Sequence, residues 1–271
     1  MGVDQLKKIR SLIIDMDGVL YRGDTPIPGL VEFFDFIRSR GIRYLLATNN
    51  STRPPRLWAE KLAGMGVTVS PDEIMTSATA TAQYLVKEYP AGTPMYYVGE
   101  MGLREALEEA GFVIDEDKAE VVVTGMDRTL TYDKLAKATL RIRAGARFIG
   151  TNPDRTLPMP YGEIPGAGSI QAALVVSTSG VQPFIVGKPE PHMFGLALDK
   201  LGTSKAETAV LGDHMDTDMT GARRAGLYSI LVLTGVATRE EAEGHPCRPD
   251  LMLADITELV QVWGRVLDSK E

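Results

Sequence analysis

Apolar and polar positions change period along the chain in a regular way. The run SLIID (residues 11–15) is a short apolar block that stops at Asp15 and Asp17, the length and boundary of a buried strand. A turn-rich segment with Gly18, Gly23, Pro26, Pro28 and Gly29 follows. Leu30, Phe33, Phe34 and Ile37 then recur at i, i+3, i+4 and i+7, which predicts a helix closed by Gly41. A second strand, IRYLLAT, ends at Thr48-Asn49-Asn50. A helix carrying Leu57, Trp58, Leu62 and Met65 leads on to Gly66 and another short apolar stretch.

The same grammar returns near the end. A helix from about His192 to Leu201 puts Met193, Leu196, Ala197 and Leu201 on one face and closes at Gly202. The strand TAVLG stops at Asp213, a short helix precedes Gly226, and the strand LYSILVL follows. Strands alternating with helices of about ten residues are βαβ units feeding a parallel sheet. Between these blocks, MYYVGE, VVVTG, ARFIGTN and PFIVG read as strands, and GLREALEEAG and YDKLAKATLRIRAG as helices. Residues 80–183 are therefore expected to form a smaller α/β domain inserted into a first one made of 1–79 and 184–271. The two linkers would act together as a hinge.

Composition narrows the class. Hydrophobic residues make up 44% and charged residues 24%, ordinary values for a globular chain with a sizeable core. With 29 basic against 36 acidic residues the formal charge is −7, which argues against a nucleic-acid polymer or an anionic membrane as partner. Cys247 is the one cysteine, so neither an intramolecular disulfide nor a cysteine-based zinc site can form. No signal-peptide pattern opens the chain and no apolar run approaches the roughly 18 residues of a membrane span, so a cytoplasmic location is expected.

Three apolar strands discharge polar residues where the chain turns: LIIDMD, YLLATNN and AVLGDHMDTD. In an open parallel sheet, ligands bind outside the carboxyl ends of the strands. Asp15, Asp17, Thr48, Asn49, Asp213 and Asp218 would build one polar site there. Asp15 and Asp17 share a strand face if the strand persists that far. GDHMDTD is not a calcium loop, because Asp218 stands where the glycine is required. Asp216 reads as a solvated or capping carboxylate, His192 and His214 as packing or solvent side chains, and Cys247 as incidental.

DMDGVL, LLATNNS, VGKPEP and VLGDHMDTD, in this order and each at a strand end, resemble the four signature motifs of the haloacid dehalogenase (HAD) superfamily. YYVGEMGL, VVVTGMDRTLTYDKL, FIGTNPD and PGAGSIQAAL are similar to the inserted cap of its subfamily IIA, the p-nitrophenylphosphatase-like and NagD-like phosphatases. The resemblance implies a doubly wound parallel-sheet, Rossmann-like core with an inserted α/β cap. It implies an Mg²⁺-dependent phosphatase acting on a small phosphorylated metabolite through an aspartyl-phosphate.

On that resemblance Asp15 is the nucleophile. Asp17 protonates the leaving oxygen, then activates water. Thr48 binds a phosphoryl oxygen, Lys188 neutralises charge, Asn49 and Asn50 contact substrate or hold Asp17, and Gly18 permits the turn out of the site. Asp15 and Asp213 ligate Mg²⁺ through side chains and Asp17 through its carbonyl, with Asp218 in the outer shell. Thr151–Asp154 and Gly166–Ser169 match cap features. Four carboxylates around a phosphate dianion total about −6, and each close pair at 4 Å costs on the order of 4 kcal/mol at an effective dielectric near 20, so a cation is demanded. A phosphotransferase or mutase using the same intermediate stays open, as does a non-catalytic phosphometabolite-binding regulator. Homodimers occur among similar proteins.

Overall fold

In a computed structural model of the chain, Ser11–Ile14 is paired on both edges by parallel strands, and all four of its residues are buried. Its neighbours are Thr208–Gly212, with Ile14 opposite Leu211, and Arg43–Thr48, with Ile14 opposite Leu46. A strand buried on both faces and both edges has no polar side to present, which is why it reads as a continuous apolar run. The structure describes residues 2–159 and 161–269. Positions 1, 270 and 271 of the expected first domain, and position 160 of the expected insertion, lie outside the described residues.

The chain divides into two compact units. One comprises the residues up to Thr48, Trp58–Ile74 and the residues from Pro189 onward, and the other comprises Asn49–Leu57 and Met75–Lys188. In the first, the strand order is Leu251–Leu253, Tyr228–Val232, Thr208–Gly212, Ser11–Ile14 and Arg43–Thr48, with Ile74–Thr76 at the edge where the chain leaves this unit. Leu12, Ile14, Leu46, Leu211 and Ile230 share a core with Phe33 and Phe34 of the helix Leu30–Ser39 and with Leu259 and Trp263 of the helix Ile256–Asp268. Ile13, Leu45 and Val210, one position off, are buried but lie outside that cluster. They face the other side, where Pro191–Leu201 packs on Ser11–Ile14 and Arg43–Thr48. Helices on both faces of a parallel sheet make this the doubly wound architecture expected. Trp263, fully buried, donates from Nε1 to Leu6 O at 3.0 Å and ties the last helix to the first turn of the chain.

The second unit is a five-stranded parallel sheet in the order Phe184–Ile185, Arg147–Gly150, Val121–Thr124, Pro94–Val98 and Val113–Ile114. It carries the helices Ser77–Glu88, Met101–Glu109, Tyr132–Arg143 and Ala167–Ser177, and an antiparallel hairpin, Thr156–Met159 with Gly162–Pro165. The helix Ser77–Glu88 runs across position 80. No helix among the described residues is long and apolar enough to cross a membrane.

Candidate active site

Parallel pairing fixes which residues meet. Because Ile14 is level with Leu211, the residues that leave these two strands at their carboxyl ends, Asp15 and Asp213, emerge side by side, and Asp15 N–H donates to Leu211 O at 2.8 Å. Asp218 joins them from the next turn. One carboxylate oxygen each of Asp15, Asp213 and Asp218 lie within 4.8 Å of one another, with Asp213 and Asp218 buried. Each ionised pair at that spacing repels by about 3.5 kcal/mol at an effective dielectric near 20. Three hard oxygen donors at mutual ligand spacing fit a divalent cation of the magnesium type, which binds through a few carboxylates and keeps water.

Local sequence explains how each acid is held. Asp218 sits in a widened turn, Met215–Met219, and its Oδ2 accepts the His214 N–H at 3.2 Å. Such single wide turns recur at functional sites because they redirect one side chain without ending the helix. His214 caps the turn, its Nδ1 accepting from Asp216 N–H at 3.1 Å. The Asp216 carboxylate is exposed and lies 3.2 Å from His245 Nε2. A β-carbon at Gly212 would overlap Asp218, so the glycine in VLGDH makes room for the acid.

Asp213 is gripped from the opposite side. Its Oδ2 accepts Val236 N–H at 2.8 Å, and a β-carbon at Gly235 or Gly18 would overlap the carboxylate. Thr234 Oγ1 donates to Gly18 O at 2.6 Å, and Arg22 Nε donates to Thr234 O. The segment Thr234–Val236 was not singled out from sequence. Its signal is the TG that ends the apolar run LYSILVL, the same strand-end position that flagged the aspartates.

The strand ends at Ile14, so the shared-face relation between Asp15 and Asp17 does not arise. The chain instead turns at Gly18, whose φ of +84° favours glycine, and Gly18 N–H closes the turn on Tyr21 O at 2.7 Å. A small hairpin, Tyr21–Arg22 with Thr25–Pro26, completes it. Asp17 keeps a face to solvent, yet its carboxyl is crowded by protein. That desolvation pushes its pKa above the ordinary aspartate value, against the Lys61 ammonium and backbone hydrogen bonds with Gly18 and Gly23, which pull it down. A carboxyl that holds its proton to higher pH suits proton transfer.

The remaining expected site residues divide at the chain crossing. Thr48, buried, closes the strand Arg43–Thr48 in the first unit. Asn49, Asn50 and Lys188 belong to the second. Asn50 is used locally, its Oδ1 accepting from Thr52 N–H at 3.0 Å and Thr52 Oγ1 at 2.7 Å. Asn49 brackets Lys188: Oδ1 accepts the Lys188 N–H at 2.9 Å and Nδ2 donates to the Lys188 carbonyl at 2.9 Å.

Two family models match the chain. One described as haloacid dehalogenase-like hydrolase matches residues 12–113, and a HAD-hydrolase-like model matches 185–259. An acid sugar phosphatase of Staphylococcus aureus is 42% identical over 256 residues, 94% of this chain and 98% of its own. The 4-nitrophenylphosphatase of Thermotoga maritima superposes with a TM-score of 0.91 at 37% identity, covering 95% of this chain and 98% of that one. NagD of Escherichia coli K-12 gives 0.87 at 35%, covering 93% and 98%.

Proposed function

The chain belongs to the haloacid dehalogenase-like hydrolases, and we propose that it is an Mg²⁺-dependent phosphatase of small phosphomonoesters working through an aspartyl-phosphate on Asp15. The observation that carries this reading is the convergence of the Asp15, Asp213 and Asp218 carboxylates at the carboxyl edge of the sheet, with the high-pKa Asp17 two residues from Asp15. The relatives named as sugar and nitrophenyl phosphatases support the substrate class.

In this mechanism Asp15 attacks phosphorus, and the bond from phosphorus to the leaving oxygen breaks as Asp17 hands that oxygen its proton. Asp17, now ionised, takes a proton from the water that attacks the phosphoryl group and frees Asp15. Asp15 and Asp213 would hold Mg²⁺ through side chains, Asp17 would offer its carbonyl and Asp218 would support from the outer shell. When bound, the cation offsets the negative charge gathered on the acids and the phosphoryl oxygens. Thr48 would bind a phosphoryl oxygen, Gly18 permits the turn that carries the chain out beside the substrate, Asn50 borders the substrate side, and Lys188 supplies positive charge. Asn49 serves the site through Lys188, to whose peptide groups its amide is bonded. Sugar phosphates are the first substrates to assay, beside p-nitrophenyl phosphate.

Free phosphate release across such a panel, with Mg²⁺ and with excess chelator, tests the reading. Turnover should require metal and vanish in Asp15→Asn. Phosphate appearing on an acceptor instead of in solution would turn the assignment to phosphotransfer, and no turnover of any member would overturn it.

A further inference from the structure

We infer that Asp154 is a positioning residue for Lys188, acting through the side-chain amide of Asn49. The inference rests on the reading of Lys188 as the cation that serves the transferring phosphoryl group.

Lys188 is 2% exposed and is the last residue of its unit before the chain crosses out. Its peptide groups are held by a side chain 139 residues away, Asn49, through one accepted and one donated hydrogen bond. Those bonds fix the orientation of the Asn49 amide, because only Oδ1 can accept the Lys188 N–H and only Nδ2 can reach its carbonyl as donor. Asn49 Nδ2 also donates to the Asp154 carboxylate, at 3.1 Å to Oδ1 and 3.2 Å to Oδ2. A bond from an amide to an ionised carboxylate is stronger than one to a neutral acceptor, so Asp154 is the anchor of the pair.

Asp154 is itself fixed. Asn152 Nδ2 donates to its Oδ2 at 2.9 Å, Thr151 Oγ1 orients Asn152 by donating to its Oδ1 at 2.7 Å, and Gln171 Nε2 holds the Asn152 carbonyl at 3.1 Å. Thr151, Asn152 and Gln171 are all buried. The Asn49 backbone is held too, its carbonyl accepting from Ser77 Oγ at 2.6 Å. At Gly187 there is no space for a side chain: a β-carbon would stand 2.8 Å from Asn49 Oδ1 and overlap Thr151 O. The network closes on the backbone of Lys188, which Asn49 holds at both its N–H and its carbonyl. An ammonium on a four-carbon stem is placed only as well as the backbone that carries it. An error of about 1 Å at a reacting centre costs on the order of a hundredfold in rate.

The test is a double-mutant cycle on phosphate release from p-nitrophenyl phosphate, using Asp154→Asn, Lys188→Met and the pair, all well below their melting temperatures. Asp154→Asn puts an NH₂ where Asn49 and Asn152 need an acceptor, at nearly unchanged size. We expect it to lower kcat/KM tenfold or more in the wild-type background and less than twofold in the Lys188→Met background. An equal loss in both backgrounds, or no loss in the wild type, would overturn the positioning role while leaving Lys188 in place. A Lys188→Met variant with wild-type activity would remove the reading of Lys188 itself, and this inference with it. Should Asp154→Asn fail to fold, Asn49→Ser carries the same cycle from the other side of the bond, with the same two outcomes.

Discussion

Gly235 leaves Asp213 the space its carboxylate occupies: a β-carbon at position 235 would overlap Asp213 Oδ2, the oxygen that also accepts the Val236 N–H. Gly235→Ala should therefore displace the acid proposed to ligate the metal, without changing any charge. A ligand that binds only the folded state stabilises it by about 2.7 kcal/mol at a hundred times its dissociation constant. Mg²⁺ should raise the melting temperature of the wild-type protein by several degrees and that of Gly235→Ala much less. Direct Mn²⁺ titration should show affinity weakened tenfold or more. An unchanged affinity would leave Gly235 without this role.

Asp17→Asn separates substrates by their leaving groups. Loss of a general acid typically costs a factor of 10² to 10⁴. The loss should be large for a sugar phosphate, whose alkoxide must be protonated. It should be smaller for first-turnover release of p-nitrophenol, which departs readily as an anion. Rapid-quench comparison of the wild type and Asp17→Asn on both substrates measures the difference. Equal losses in the first turnover would argue against proton donation by Asp17.

Tyr228 gives a pH signature far from the site. Burial, with Asp250 nearby, pushes its phenol from 10.0 up to about 12, and its hydroxyl donates to Gly2 O at 3.3 Å. A pKa raised by folding means stability that is complete below the unfolded value and lost as pH rises through the folded one. Between pH 10 and about 12 the wild type should lose stability that Tyr228→Phe does not. Urea midpoints across that range check it, and parallel curves would contradict it.

Gly195 offers a gain. It lies exposed inside the helix Pro191–Leu201, with open space where a β-carbon would go. Gly195→Ala should add about 0.5–1 kcal/mol, seen as a rise of roughly 1–3 °C in melting temperature. A fall would mean that Ala is not accommodated there.

The strands were legible because each buried strand is a short apolar block with a polar stop. Asp15, Thr48 and Asp213 could be read off those stops directly. The helix Ala167–Ser177 was not, because Ala172, Ala173 and Val176 are apolar yet exposed, which erases the stripe that periodicity needs. Ile256–Asp268 carries the stripe, in Ile256, Leu259, Val260 and Trp263, and lies C-terminal to the last strand that ends in a site residue. Hairpins as short as Tyr21–Arg22 with Thr25–Pro26 read as turns, since two-residue strands have no period. The grip of Thr234–Val236 on Asp213 and the bond from Asn49 to Asp154, 105 residues away, are tertiary relations that no local pattern encodes.

The most direct measurement is chemical trapping of the intermediate. The enzyme, turning over p-nitrophenyl phosphate with Mg²⁺, is quenched, treated with borohydride and mapped by peptide mass spectrometry. Reduction of an acyl-phosphate at Asp15 should convert that residue alone to homoserine, in proportion to the intermediate present and never without substrate. Asp15 recovered unmodified under conditions where turnover is rapid and the intermediate accumulates, or label found on another residue, would contradict nucleophilic catalysis by Asp15.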